Sequence, residues 1–214
     1  MNRRRLAALL LPAALLAGCA SVPSAPETTW FRLPEPVAGD RMQTPAVELP
    51  IVVETFLADG LYSDQSLIYT LDAEADRLRT YHYQLWIDPP ARLLQRRLIA
   101  ALRASGVSPV VTDRLPTRLE TLRVQGRIAR LDRVRTERGW EVAVSLVLRA
   151  EPSSGGRPWV IGEYHRQLPA PGDRVADSVR AYGQALDQIH ADFIADLAGH
   201  ARRAAAGDDA LQMR

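Results

Sequence analysis

The chain contains a single cysteine, Cys19, and its position decides what chemistry the thiol can do. A lone thiol cannot form a disulfide within the chain, but it can carry a covalent group. Three arginines (3–5) and an apolar run (6–16) precede it. A cationic start, a hydrophobic middle and small residues before a cleavage point are typical of a secretory signal. The sequence therefore predicts that residues 1–18 are removed and that Cys19 becomes the first residue.

The residues Leu16-Ala17-Gly18-Cys19 resemble the lipobox of bacterial lipoproteins. That resemblance implies a diacylglycerol thioether on the Cys19 sulfur and an acyl chain on its new amino group. Two or more acyl chains hold a protein stably on a bilayer, whereas one holds it only marginally. In Gram-negative lipoproteins an Asp after the cysteine commonly signals retention in the inner membrane. Ala20 stands there instead, which favours the outer membrane.

Removal of the signal changes the charge of the chain and sets its domain organisation. The 214 residues include 27 basic and 25 acidic side chains, and loss of three arginines leaves a net charge of −1. Such a balance offers no concentrated basic surface for nucleic acid. Residues 19–29 are small, polar and Pro-rich, which predicts a tether. Residues 30–199 predict one periplasmic domain, and residues 200–214 predict a flexible tail.

The titratable residues form no pattern that predicts a metal site or an enzyme. None of the four histidines shares a metal-like spacing with another ligand, and we interpret them as surface or satisfied residues, with His190 near the polar edge of the last helix. Asp72, Glu74 and Asp76 alternate like a calcium loop, but Arg77 and Tyr83 occupy the positions that need Gly and Glu. Nucleophile elbows, P-loops and dinucleotide fingerprints are missing from the sequence. We expect a non-catalytic protein without a cofactor beyond the acyl chains on Cys19.

Aromatic side chains crowd one predicted hairpin between residues 62 and 86. Alternation along its second strand places Tyr81 and Tyr83 on the face opposite Trp86. Two interpretations stay open, because the rings can pack in the core, with Trp86 under the first helix, or form a contact surface. The candidate partner-binding residues are Tyr69, Tyr81, Tyr83 and Trp86.

The hydrophobic periodicity predicts an α+β fold. Short β-branched and aromatic runs predict strands at 30–33, 47–57, 66–71, 78–86, 107–111, 119–134, 140–149 and 159–168. A change of phase at Ala129 predicts a bulge in the longest strand. Apolar spacings of three and four predict helices at about 89–105, ended by Gly106, and 174–198. We expect a mixed, largely antiparallel sheet with both helices packed on one face.

The order of these motifs resembles the ABC-type transport auxiliary lipoproteins, which include the paraquat-inducible protein C group. The resemblance covers roughly residues 30–195. The residues that carry it, besides the lipobox, are Trp30-Phe31-Arg32-Leu33-Pro34, Ser66-Leu67-Ile68-Tyr69, the run Tyr81 to Trp86 leading into Pro89-Pro90, and the helix Leu93 to Leu102.

This resemblance implies a role and not a reaction. It implies an auxiliary or docking subunit of an MCE/ABC-type intermembrane lipid transport system, held on the outer membrane and facing the periplasm. Its expected partners are the bilayer and a periplasmic MCE-type protein, and homo-oligomerisation is left open. The alternative is a lipoprotein that supports envelope assembly or activates a cell-wall enzyme, which would associate with assembly machinery or synthases.

Overall fold

The computed structural model describes residues 26–37, 39–72, 77–116 and 118–212, and within them the chain forms nine strands and two helices. In chain order the elements are β1 (Thr29–Phe31), β2 (Ile51–Val53), β3 (Leu57–Ala58), a 3-10 turn (Gly60–Ser63), β4 (Ser66–Thr70), β5 (Arg79–Trp86), α1 (Pro90–Ser105), β6 (Val111–Thr112), β7 (Leu122–Thr136), β8 (Gly139–Pro152), β9 (Val160–Pro169) and α2 (Val175–Gln212). The predicted signal, Cys19 and most of the predicted tether lie outside the described residues.

β7 organises the sheet. One edge of β7 pairs in succession with β2, β3 and β4, which all run parallel to it. Its other edge pairs antiparallel with β8, and β8 pairs antiparallel with β9. β5 joins β4 as an antiparallel hairpin, and β1 and β6 add parallel strands at β5 and β2. The α+β fold with a mixed sheet is therefore confirmed. Five of the described strand pairs are parallel and three are antiparallel, although the two longest ladders, β7 with β8 and β8 with β9, are antiparallel.

The parallel pairing of the short N-terminal strands was not predicted. Alternation along a strand shows which face is buried, but it does not show the direction of the neighbouring strand. A parallel pair needs a crossover connection, and α1 lies in the connection between β4 and β7. The predicted strand 47–57 is also split into β2 and β3, and the strand predicted at 107–111 is reduced to β6.

The bulge predicted in the longest strand is confirmed. The register of β7 against β8 shifts between Ile128 and Arg130, so Ala129 is the extra residue. Such an insertion reverses the facing of the residues that follow it. Leu131 and Arg133 consequently share the core face with Ile128. Each lies an odd number of residues after Ile128, so in a regular strand it would face the opposite side. The bulge is what turns the charged side chain of Arg133 inward.

Both helices pack on one face of the sheet and contact each other. α1 contacts β2, β3 and β6, and α2 contacts β8 and β9. Gly106 ends α1 in the left-handed conformation with a φ of 67°, as predicted. Pro89 occupies the N-cap position of α1, and the preceding Asp88 pairs with Arg96 of the helix.

α2 continues well past its predicted end at residue 198. Gly199, the residue directly after the predicted end, lies inside the helix. A glycine within a helix costs only about 1 kcal/mol relative to alanine, and the alanine-rich segment that follows is a strong helix former. The predicted tail at 200–214 is thus helical as far as residue 212. In the described part of the chain, neither helix is apolar enough over a sufficient length to cross a membrane.

Candidate functional site: a tyrosine cleft

Three of the four predicted contact residues line one cleft. Tyr69 comes from β4, Tyr81 and Tyr83 come from β5, and the first residues of α2 form the opposite wall. We call this feature, of about 670 Å³, the tyrosine cleft. Its lining residues are Pro26, Thr29, Phe31, Tyr69, Thr80, Tyr81, His82, Tyr83, Gln84, Arg133, Arg174, Val175 and Ala176.

Trp86 is not part of the cleft. Its side chain is only 3% exposed and belongs to the core. Its ring meets Tyr182 of α2 edge-on, with 5.6 Å between the ring centroids. Of the two interpretations, core packing therefore describes Trp86, and the ring contact is with the second helix. A partner could not reach this residue without opening the domain.

The predicted facing of Tyr81 is wrong, and a register shift in the hairpin explains why. Ser66 pairs with Leu85, but Ile68 pairs with Thr80, so β5 contains extra residues opposite a short part of β4. Simple alternation fails across such an irregularity. Tyr81 consequently reaches the side of the sheet on which α2 lies, which is also the side of Trp86.

Arg133 holds the floor of the cleft together. The guanidinium is buried, and each of its three nitrogens donates a hydrogen bond. Nε donates to Ser178 Oγ (2.7 Å), Nη1 donates to the Tyr81 hydroxyl (2.6 Å), and Nη2 donates to the carbonyl of Asp173. The guanidinium also lies over the ring of Trp140, 3.7 Å from its centroid. A buried charge is tolerated when its donors are satisfied in this way.

The aromatic rings form a cluster that runs from the interior to the surface. Tyr69 and Tyr81 are in contact, with centroids 4.4 Å apart, and Trp140 lies edge-on to Tyr69 at 6.3 Å. Tyr83 is 40% exposed, and the neighbouring His82 is exposed as well. Tyrosine provides apolar area together with a hydroxyl that can hydrogen bond, so such rings are enriched at protein interfaces.

The charge of the cleft is positive. Arg133 and Arg174 line it, and none of its described lining residues is acidic. An aromatic surface with arginines is the composition that dominates binding energy at protein interfaces. The cleft can therefore accept a segment with apolar and acidic side chains. Arg133 and Trp140 escaped the sequence prediction, although the phase change at Ala129 was the signal that Arg133 turns inward.

The other polar groups of the sheet are held in structural pairs. Tyr62 donates to Asp132 (2.8 Å), and Tyr164 donates to Asp196 (2.6 Å). Burial raises the pKa of both phenols well above its usual value, so they stay protonated as donors. Ser145 and His165 hydrogen bond at 2.8 Å, but neither bonds to a carboxylate within the described residues.

The four histidines lie apart from one another. His82 lines the cleft, His165 bonds to Ser145, and His200 stacks on Trp159. His190 is only 1% exposed and its ring nitrogens have no partner among the described residues, so its interpretation as a surface or satisfied residue is wrong. Among the residues that the structure describes, no three metal-binding side chains come together. Residues 73–76, which include Glu74 and Asp76 of the acidic turn, lie outside the described residues.

The open mixed sheet, the paired helices and the aromatic cleft define an α+β domain with a surface suited to contacting another protein. The chain belongs to the family of ABC-type transport auxiliary lipoprotein components, whose model matches residues 31–195. The match confirms the family that the sequence motifs indicated. Members of this family are lipoproteins that are auxiliary to a transport system.

Two solved structures share the fold. The crystal structure of protein XCC0632 from Xanthomonas campestris, assigned to the DUF330 family, superposes with a TM-score of 0.71 at 16% identity and covers 83% of this chain and 99% of its own. The crystal structure of an uncharacterized protein superposes with a TM-score of 0.63 at 17% identity and covers 80% of this chain and 99% of its own. No curated protein matches the chain.

Proposed function

We propose that the protein is an outer-membrane lipoprotein and a non-catalytic docking subunit of an MCE/ABC-type intermembrane lipid transport system. The observation that carries this proposal is the family match, which spans the domain from residue 31 to residue 195. The tyrosine cleft adds to it a surface of the composition that protein partners bind.

The anchor is the lipidated Cys19, which carries a diacylglycerol thioether and an N-acyl chain. Ten residues lie between Cys19 and Trp30, so the eleven residue-to-residue steps of an extended tether span at most about 40 Å. The domain is thereby confined to a layer next to the bilayer. Such confinement raises its effective concentration for any partner that reaches that layer, without any new contact.

The tyrosine cleft is the docking site for a periplasmic MCE-type protein. Tyr83 and His82 form its exposed rim, and the paired guanidinium of Arg133 fixes its floor. The hydrogen bonds of this floor are already made within the domain, so covering it with a partner costs little desolvation free energy. Apolar and acidic groups of the partner gain contacts in the cleft. Pro26 lies in the cleft wall, so the tether leaves the domain beside the docking site.

Crosslinking followed by purification tests the proposal. The wild-type chain, expressed at its natural level, should enrich an MCE-type protein about tenfold over an unrelated outer-membrane lipoprotein. Tyr83→Ser should lower that enrichment, because it removes an exposed ring of the cleft. Ile161→Ser is the matched control, since Ile161 is 63% exposed on β9 and lies outside the cleft. Cys19→Ala should release the chain from the membrane fraction.

Two results would contradict the proposal. One is recovery of MCE or ABC components at the level of the unrelated lipoprotein. The other is enrichment of envelope assembly machinery or cell-wall synthases instead, which would favour the alternative role. If an MCE-type protein is enriched but Tyr83→Ser has no effect, the transport role stands and the docking site lies elsewhere.

A further inference from the structure

An exposed apolar patch lies where the tether enters the domain. Trp30 of β1 is 52% exposed, and Ile87, directly after β5, is 39% exposed. The register of β1 against β5 places Trp30 beside Leu85, and the N–H of Ile87 donates to the carbonyl of Phe31. Continuing that register by one residue places the exposed Arg32 beside Ile87. We call Trp30, Leu85 and Ile87, with Arg32 at their border, the tether patch.

The tether patch lies on the face of the sheet opposite the two helices. Phe31 packs against the core and Trp86 is buried in it, so their strand neighbours Trp30 and Leu85 face the other side. Thr29 and Phe31 line the tyrosine cleft, whereas none of the patch residues is among its described lining residues. The patch and the cleft therefore lie on opposite faces of β1, and covering one leaves the other open.

The same face of the sheet becomes charged away from this edge. Along β7 and β8 the side chains that alternate with buried core residues include Arg123, Arg149 and Glu151. Arg123 and Arg149 both pair with Glu151. Such a charged surface stays hydrated, so the apolar contact area of this face is confined to the edge formed by β1 and β5.

The length of the tether identifies the phase that this patch meets. Ten residues lie between Cys19 and Trp30, and an extended chain of that length reaches at most about 40 Å. Trp30 stands at the domain end of the tether, so acyl chains on Cys19 keep the patch close to lipid. Such tethering raises the effective concentration of a contact that would be too weak for a free domain.

We propose that the tether patch contacts the headgroup region of the bilayer that holds Cys19, and that this contact orients the domain. The proposal rests on the lipid anchor of the proposed function. Tryptophan is enriched at membrane–water interfaces, because its ring is apolar and its N–H can stay hydrated. Ile87 adds apolar area, and Arg32 supplies a cation that pairs with lipid phosphate. The carboxylate next to Ile87, Asp88, is already paired with Arg96.

This orientation has a consequence for docking. With the tether patch on the bilayer, the tyrosine cleft on the opposite face of β1 opens away from the lipid. A partner in the periplasm can then reach the cleft while the domain stays in contact with the membrane.

The test measures quenching of tryptophan emission by spin-labelled lipid. The mature chain, residues 19–214, is coupled through Cys19 to a maleimide-bearing lipid in vesicles of phosphatidylethanolamine and phosphatidylglycerol. Cys19 is the single cysteine, so the coupling is specific and does not depend on lipidation in the cell. A spin label near the headgroup end of the acyl chains quenches rings that lie at the interface. Trp30 is one of four tryptophans, so we expect a loss of about a fifth of the emission.

Variants identify the ring that is quenched. Trp30→Phe should lower the quenched fraction at least about threefold. Trp159→Phe is the matched control, because Trp159 precedes β9 and stacks on His200, far from the tether patch. The quenched part of the emission should persist in this variant.

A second pair of variants tests the orientation. In the Trp30→Phe background, Ile87→Trp should restore the quenching, whereas Ile161→Trp should not. Ile161 is exposed on the same face of the sheet, but β9 lies five strand spacings from β1, or about 24 Å.

Three results would overturn the proposal. The first is quenching of the wild-type chain no greater than that of Trp30→Phe. The second is equal quenching of Ile87→Trp and Ile161→Trp, which would mean that the domain has no preferred orientation. The third is an emission shift of Trp30 that grows with the surface density of the protein and is not quenched by labelled lipid, which would mean that a second copy covers the patch.

Failure of this proposal can be told apart from failure of the proposed function. The coupled chain is anchored by chemistry, so the quenching reports only whether the patch contacts lipid. A bare Cys19 sulfur in the cellular protein, or the lack of MCE-type enrichment, would contradict the proposed function and would leave the quenching result unchanged.

Discussion

Two buried arginines differ in how their guanidinium groups are hydrogen-bonded, Arg133 in the floor of the tyrosine cleft and Arg97 between the two helices. Arg133 uses all three guanidinium nitrogens in hydrogen bonds to Tyr81, Ser178 and Asp173. Arg97 uses one nitrogen, and its other two have no partner in the described residues. A guanidinium that is bonded through all three nitrogens holds a fixed position beneath the cleft. Arg97 and the neighbouring His190 instead leave buried polar atoms without a partner in the described residues, which costs stability.

The cluster of Arg97, Asp187 and His190 between the two helices should give the largest effect on stability. Asp187→Ala leaves the buried Arg97 guanidinium without its carboxylate, and we expect a loss of about 4 kcal/mol in the free energy of unfolding. The double variant Arg97→Met, Asp187→Leu removes both charges and should lie within about 1 kcal/mol of wild type. Urea denaturation at constant pH measures both. Equal losses in the single and double variants would show that the pair has no electrostatic role.

Acid should lower the free energy of unfolding through protonation of His190. Its pKa is about 3 in the folded state and 6.5 ordinarily, so the unfolded chain binds more protons between these values. Stability is then full above about pH 6.5 and declines as the pH falls towards 3. The loss between pH 6.5 and 4 should be about 3 kcal/mol.

The matched control for this pH dependence is His190→Phe, which keeps an aromatic ring and has no proton to bind. Carboxylates whose pKa is lowered, such as Glu151 beside Arg149, titrate in both proteins and cancel in the comparison. The difference between the two unfolding free energies should therefore carry the slope of His190 alone. A difference that does not change between pH 6.5 and 4 would contradict the buried, neutral state of the ring.

The cleft should respond less strongly to loss of its arginine, because the residues left behind are neutral. Arg133→Met removes hydrogen bonds to Tyr81, Ser178 and Asp173, and we expect a loss of about 2.5 kcal/mol. Arg135 offers a matched control in the same strand, since its partner Asp173 is 81% exposed and the bridge is on the surface. Arg135→Met should cost about 0.5 kcal/mol or less. Comparable losses for the two variants would contradict the central position of Arg133 in the cleft.

Much of the fold, and part of the site, could be predicted from the sequence. The hydrophobic period located the strands of the C-terminal meander, both helices and the bulge at Ala129. The aromatic hairpin led to Tyr69, Tyr81 and Tyr83, which share the cleft. Two features could not be predicted, namely the pairing direction of the short strands and the register shift in β5. Both depend on contacts between distant segments, which the alternation of side chains along one strand does not reveal.

His190 shows a second limit of the sequence argument. Its position on the last helix places it at the border of the apolar stripe, so its burial depends on what packs beside the stripe. α1 covers that border, and no residue close to His190 in the sequence indicates that a second helix packs there. Arg133 is the opposite case, because the phase change that turns it inward is visible in the sequence.

Tyr83 should matter for binding and hardly at all for folding. The ring is 40% exposed, so Tyr83→Ser should change the free energy of unfolding by no more than about 0.5 kcal/mol. Equilibrium unfolding in urea checks this. A loss above about 2 kcal/mol would show that the residue belongs to the core, and the crosslinking comparison with Ile161→Ser could then not be interpreted.

The most direct measurement of the docking account is photo-crosslinking in living cells from position 83. A photoreactive amino acid at Tyr83 should form an adduct with a periplasmic MCE-type protein, identified by mass spectrometry. The same amino acid at the more exposed position 161 should not. An adduct from position 161 alone, or no MCE-type adduct from position 83 while the partner is present, would contradict the assignment of the tyrosine cleft as the docking site.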